Sequence, residues 1–226
     1  MSSAAVLFDL DGTLVDSIEH IVHCWRETMR TVGLELDRPS ILPTIGRPLL
    51  EGLESFVPGR GEELIGVYSS IFDETHDAMV RTFPGMVELL GLLRERGLSL
   101  GVVTSKRRNA VDKALQAFGL GPLLGAVITM EDTRAHKPSA EPLLLACSRL
   151  GVSPAEATYV GDAVVDVLAA HAAGLGSVAV SWGAASEEEL RAARPQRLVS
   201  DMAQLAEALG MDLLRDRDPA VSSPRA

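Results

Sequence analysis

Residues 6–13 read Val-Leu-Phe-Asp-Leu-Asp-Gly-Thr. A short, bulky apolar run, Ala4–Leu10, has the character of a strand buried on both faces. Asp9 and Asp11 then fall where that strand leaves its sheet. In open α/β sheets this carboxyl edge is where ligands bind. Two carboxylates so close repel each other unless a cation joins them, and hard oxygen donors suit Mg²⁺. The competing reading is a solvated turn, because Asp-Gly is common turn chemistry.

Working outward, Ser17–Gly33 reads as an amphipathic helix with Ser17 as N-cap and Gly33 as stop. Pro39, Pro43, Pro48 and Pro58 then interrupt the chain, with helical patterns at Pro48–Phe56 and Glu62–Val80. No strand-like run is expected between Asp16 and Arg81. From Phe83 onward helices and strands alternate. A helix opened by Pro84 is closed by Gly97, and further helices are predicted at Asn109–Phe118, Glu141–Leu150, Val164–Ala173, Glu187–Ala193 and Met202–Leu209. The intervening strands are Leu98–Val103, Ala126–Thr129, Thr158–Val160 and Ser177–Val180. Such alternation predicts an α/β fold, a doubly wound parallel sheet of Rossmann-like form. The core is expected to be discontinuous, 1–15 plus 82–214, with 16–81 as an inserted all-helical cap and hinges near Asp16 and Thr82. Residues 215–226 are polar and predicted to be disordered.

The chain has 226 residues, 46% of them hydrophobic, enough for one core plus a small second one. The net charge of −10 carries no basic stripe, which argues against nucleic acid as a partner. Two distant cysteines, Cys24 and Cys147, do not make a disulfide framework. No apolar run approaches the roughly 18 residues of a membrane span, and none reads as a signal peptide. A cytoplasmic protein without membrane contact, monomeric or homodimeric, is the expectation. Of 21 basic residues only Lys106, Lys113 and Lys137 are lysines.

Three further predicted strand ends carry polar clusters. Thr104-Ser105 can supply a hydroxyl and backbone N–H groups to an anion, although both are also ordinary N-cap residues. Lys137, before Pro138, is held extended and can project its ammonium to the sheet edge. Against a solvated loop lysine stands the chain's preference for arginine elsewhere. Gly161-Asp162 is followed by Asp166 one helical turn later, on the same face. Asp162 can complete a metal site, while Asp166 can hold Lys137 or a metal-bound water. Each aspartate could instead serve as a helix cap or first-turn charge.

The order Asp-x-Asp, Thr/Ser, Lys, Gly-Asp-x-x-x-Asp resembles the four motifs of the haloacid dehalogenase superfamily, over Val6 to Asp166 and more loosely through the last strand. The resemblance implies Asp9 as nucleophile, forming an aspartyl-phosphate, and Asp11 as general acid/base, kept protonated by its neighbours until it acts. It implies Mg²⁺ held by Asp9, Asp162 and the Asp11 main-chain carbonyl. Thr104, the Ser105 backbone and Lys137 would bind the phosphate oxygens. Asp11 disfavours dehalogenation, and the absence of lysine from 16–81 removes a phosphonate hydrolase that needs a cap lysine. Sugar-phosphate mutases of the family use a histidine where this chain has Ile21, with His20 and His23 out of register.

The expected activity is therefore Mg²⁺-dependent hydrolysis of a small phosphorylated metabolite, most like the phosphoglycolate phosphatases. A pyrophosphatase of the same subgroup, a mutase and a catalytically silent phosphate-binding module are the alternatives. Thr44-Ile45-Gly46-Arg47-Pro48-Leu49 resembles the subgroup's specificity loop. Arg47 could reach a substrate carboxylate or second phosphate, or lie exposed. His76 could face the cleft or occupy a solvated helical face. Ala163-Val164-Val165 departs from the polar residues found there in relatives.

Overall fold

The computed structural model describes residues 4–211, so the predicted polar tail lies outside the described residues. Six parallel strands form one sheet in the order β5-β4-β1-β6-β7-β8. These are β1 (Ala5–Phe8), β4 (Ser99–Val103), β5 (Ala126–Ile128), β6 (Ala157–Gly161), β7 (Gly176–Val180) and β8 (Arg197–Val199). β1 is central, pairing Ala5–Phe8 with Ser99–Val102 on one side and with Ala157–Val160 on the other. Its four residues are fully buried because the sheet is covered on both faces. Side-chain alternation assigns the faces. Val6 and Phe8 join Leu100, Val102, Val160 and Val178 on one side. Ala5 and Leu7 join Val103, Ala157 and Tyr159 on the other.

From β1 the chain proceeds outward to β4 and β5, then returns past β1 to lay down β6, β7 and β8. The direction reverses between β1 and β6, which makes the crevice beyond their carboxyl ends the topological switch point. The expected parallel sheet is thus present, with one strand more than the sequence reading gave. β8 is three residues long and half exposed along its length, too short to show an apolar run.

The stretch between the first two core strands is helical: α1 (Ile18–Arg30), α2 (Arg38–Ile41), α3 (Leu49–Phe56) and α4 (Gly61–Met79). It has its own apolar core, in which Ile21, Trp25, Met29, Leu53, Leu64 and Phe72 are buried. Two corrections concern its edges. Where no strand was expected, β2 (Val15–Asp16) pairs antiparallel with β3 (Arg81–Thr82), so both chain crossings share one two-stranded ribbon. α2 was also missed; it is a single turn whose Asp37 caps the Ser40 N–H at 3.0 Å.

The core helices follow their predicted limits closely: α5 (Met86–Glu95), α6 (Arg108–Ala117), α7 (Glu141–Leu150), α8 (Val164–Ala173), α9 (Glu187–Ala192) and α10 (Met202–Ala208). α5 starts after Gly85, at φ +84°, rather than at Pro84. Ser17 precedes α1 but makes no side-chain cap, because its hydroxyl is used elsewhere. Among the described residues no helix is long and apolar enough to cross a membrane.

Candidate active site

Asp9 follows β1 directly, and its N–H still donates to Val160 O at 2.8 Å, so its position is fixed by the last rung of the sheet. Across the switch point, β6 ends at Gly161 and delivers Asp162 beside it. Asp166, in the first turn of α8, accepts the Ala163 N–H at 3.0 Å with one carboxylate oxygen and points the other inward. Lys137 Nζ then lies 2.9 Å from Asp9 Oδ1, 2.6 Å from Asp166 Oδ1 and 3.2 Å from the Tyr159 hydroxyl. Tyr159 spends its own proton on Val103 O at 2.8 Å, which leaves its lone pairs for the ammonium. Lys137 is 4% exposed, so the solvated-lysine reading does not apply.

Glycines shape the Asp162 seat. Gly12 adopts φ +72°, and a Cβ there would fall 2.2 Å from Asp162 Oδ2; one on Gly183 would fall 2.1 Å from the same atom. The carboxylate is clasped between two main-chain segments that only glycine permits at this distance. Asp162 Oδ2 accepts the Ala184 N–H at 2.6 Å and Oδ1 the Thr13 hydroxyl at 3.3 Å. Asp162 is thus neither a helix cap nor a solvated turn residue.

Charge within this cluster is unbalanced. Asp9, Asp162 and Asp166 offer carboxylate oxygens within 4.8 Å of one another, all buried, against the single ammonium of Lys137. Burial, partly offset by Lys137 and reinforced by Asp166, pushes Asp9 up to about 7. Burial and the neighbouring Asp166 and Asp9 carboxylates raise Asp162 well above the carboxylate range. Burial works against the Lys137 ammonium too, but Asp166 and Asp9 outweigh it and hold the lysine charged. Such a donor set could hold a divalent cation, and oxygen-only ligands fit Mg²⁺.

Asp11 departs from expectation. Its Oδ1 accepts the Ser17 hydroxyl at 2.6 Å and the Lys106 ammonium at 2.5 Å. Burial opposes its ionisation, but Lys106 and Ser17 prevail and hold its pKa below the usual value. The neighbours expected to keep Asp11 protonated thus favour its ionised form in this arrangement. The local sequence gives Lys106 no such role; the scarcity of lysine in the chain is the one signal that could single it out.

Asp9 and Asp11 open into a cleft between the sheet edge and the helical stretch, lined also by Thr104, Lys106, Arg107 and Arg47. Trp25, Tyr68 and Phe72 form much of its apolar wall. Arg47 therefore faces the cleft, and Ile21 does as well. His20, the nearest histidine to the mutase position, instead bonds Thr75 Oγ1 through Nε2 at 2.9 Å, and burial lowers its pKa to about 4. His76 is neither solvated nor in the cleft: it is 1% exposed, packed against Phe72 and Phe118.

The family model for haloacid dehalogenase-like hydrolases matches residues 6–180. The protein named pyrophosphatase PpaX of Bacillus velezensis is 36% identical over 208 residues, covering 92% of this chain and 96% of that one. Its namesake in Bacillus pumilus is 35% identical over the same span. Among solved structures, a hydrolase from Pseudomonas syringae superposes with a TM-score of 0.84 at 27% identity, covering 92% of this chain and 98% of that one. A Haemophilus somnus protein described as a predicted phosphoglycolate phosphatase gives 0.84 at 24% identity, with the same coverage, and so speaks to the fold alone. A match spanning the sheet from β1 to the end of β7, reinforced by relatives of nearly equal length, places this chain in the haloacid dehalogenase-like hydrolase family.

Proposed function

We propose that the protein is a Mg²⁺-dependent phosphohydrolase for small phosphate compounds, with pyrophosphate as its substrate and the helical stretch as a cap over the cleft. The observation that carries this reading is the buried excess of carboxylate around Lys137 at the switch point. Asp9, Asp162 and the Asp11 main-chain carbonyl would hold the ion. When bound, Mg²⁺ would neutralise the site and stabilise charge on the transferring phosphoryl group. Asp9 supplies a carboxylate oxygen to phosphorus, the bond to the leaving oxygen breaks, and water then hydrolyses the aspartyl-phosphate. Lys137 and the Thr104 hydroxyl bind equatorial oxygens. Thr104 Oγ1 accepts from Lys106 N at 3.3 Å, which leaves its proton for a phosphate.

The state of Asp11 bears on substrate choice. An ionised Asp11 has no proton for a poor alkoxide leaving group, but it is ready to activate water in the second step. Inorganic phosphate departs as a stable anion and needs little protonation, which suits a phosphoanhydride better than an alkyl ester. The relatives called pyrophosphatase agree. Phosphate release from pyrophosphate, phosphoglycolate and an aryl phosphate, each with and without Mg²⁺, tests the reading. Metal-dependent release, fastest with pyrophosphate and absent in Asp9→Asn, is expected. Preference for phosphoglycolate would overturn the substrate, and no release from any compound would overturn the activity.

A further inference from the structure

Ser105 is expected to bind phosphate through its backbone, and its hydroxyl is committed elsewhere. Ser105 Oγ donates to Gly46 O at 2.8 Å, joining the loop after β4 to the turn that carries Arg47. A hydroxyl has one proton, and phosphate oxygens at neutral pH mainly accept, so this side chain cannot serve Gly46 and a phosphate together. The turn is closed on itself as well: Arg47 N donates to Thr44 O at 3.3 Å, and Thr44 Oγ1 to Ile41 O at 2.7 Å. Beneath it lies the apolar start of α8. Gly46 adopts φ +88°, and a Cβ there would stand 3.1 Å from Val165 Cγ2 and 3.3 Å from Ala163 Cβ. The apolar residues between Asp162 and Asp166 therefore have a use: they form the shelf on which the Gly46 turn rests. Gly46, Arg47 and Ser105 all border the cleft that holds Asp9 and Asp11.

We infer that Ser105 is a positioning residue whose hydroxyl, with the Ala163/Val165 shelf, docks the 44–47 turn and thereby presents Arg47 to the second phosphate of the substrate. The assignment rests on the phosphohydrolase reading for its substrate, but the docking contact stands independently of turnover. Phosphate binding at this position is left to the Ser105 backbone N–H. Arg47 is thus aimed from the loop after β4 as well as from its own helical stretch.

The test uses the full chain with Ser105→Ala and Ser105→Thr, the latter keeping the hydroxyl. Hydrogen exchange read on peptides covering 42–50 should quicken about fivefold in Ser105→Ala, as loss of one partly buried hydrogen bond implies, and stay near wild type in Ser105→Thr. The KM for pyrophosphate should rise about fivefold in Ser105→Ala, the larger share of the loss in kcat/KM, and this effect should shrink to near nothing in an Arg47→Ala background. Unchanged exchange across 42–50 overturns the docking role. An equal Ser105→Ala effect with and without Arg47 overturns its service to Arg47. A wild-type enzyme without turnover would instead remove the phosphohydrolase reading, and the exchange measurement would still decide the docking.

Discussion

Lys106 Nζ lies 2.5 Å from Asp11 Oδ1, and the same ammonium sits 4.8 Å from the centre of the Phe72 ring. One cation of the core thus meets the acid/base candidate on one side and helix α4 of the helical stretch on the other. Removing the charge should be felt as a shift in pH dependence. Lys106 lowers the Asp11 pKa, so Asp11 is ionised through the neutral range. In Lys106→Met that pKa rises, and the acidic limb of kcat/KM for pyrophosphate should move to higher pH. A pH–rate profile of the two proteins checks this. An acidic limb that stays in place would separate Lys106 from Asp11.

Asp9→Asn should lower turnover by about a thousandfold or more, since an amide is not a nucleophile toward phosphorus. Its effect on stability should run the other way. In the metal-free protein burial above all, opposed by Lys137 and reinforced by repulsion from Asp166 and Asp11, raises the Asp9 pKa to about 7. An amide removes that repulsion and keeps a carbonyl acceptor for Lys137. In chelator at mildly alkaline pH the variant should therefore melt above wild type. A lower Tm would mean that the Asp9–Lys137 ion pair outweighs the repulsion.

The raised Asp9 pKa also fixes how metal-free stability responds to pH. The folded state binds the Asp9 proton more tightly than the unfolded chain does. This contribution is full below the unfolded value of 3.8 and is lost as pH rises to about 7. Asp162 acts in the same direction. Thermal melts in chelator should show Tm falling across the mildly acidic to neutral range, and added Mg²⁺ should restore it more at neutral pH than in acid. A flat profile, with no difference in the Mg²⁺ response, would argue that these carboxylates do not form the metal site.

Much of this was legible in the chain before folding. β1 and the strands that flank it are buried on both faces, so they read as plain apolar runs, and the order of their polar ends, taken together, points to Asp9, Thr104 and Asp162. Helices α7 and α8 could be bounded to the residue because Gly151 and Gly174 end them in the left-handed conformation. The Lys137–Asp166 pair is one of the two roles that i+4 spacing, which puts Asp166 on the same face as Asp162, offers that residue. What escaped were features set by contacts distant in sequence. β2 and β3 are two residues each and exist through one another, across the whole helical stretch. Asp11's ionisation depends on Lys106, 95 positions away, and the duty of Ser105 depends on Gly46, 59 positions away. His76 sits in a polar-looking Glu74–Asp77 segment whose neighbours are exposed, and it is covered by Phe72 together with two residues distant in sequence, His20 and Phe118.

Two ion-pair clusters of similar appearance should differ sharply in worth. Asp132 accepts from Arg149 at 2.8 Å, from Arg108 at 2.5 Å and from the Thr129 N–H at 2.8 Å. Burial opposes its charge, but the Thr129 backbone and Arg149 win and bring its pKa to about 2. Both arginines are about 40% exposed, at 40% and 42%, so water replaces much of what Asp132→Asn removes, and a loss of about 1 kcal/mol is expected. That contribution is present above pH 3.8 and lost as pH falls toward 2. Lys137 is different: its side chain is 1% exposed, and solvent cannot compensate Asp9 and Asp166 if it is removed. Lys137→Ala should cost about 3–5 kcal/mol in denaturant unfolding under chelator at neutral pH, because it leaves buried carboxylates without their cation. Asp166→Asn should cost less than Lys137→Ala, since Asp9 still pairs with the ammonium. If Lys137→Ala proved no more damaging than Asp132→Asn, the site would have to be wetter than its packing shows, and the charge imbalance that calls for a metal ion would lose its force.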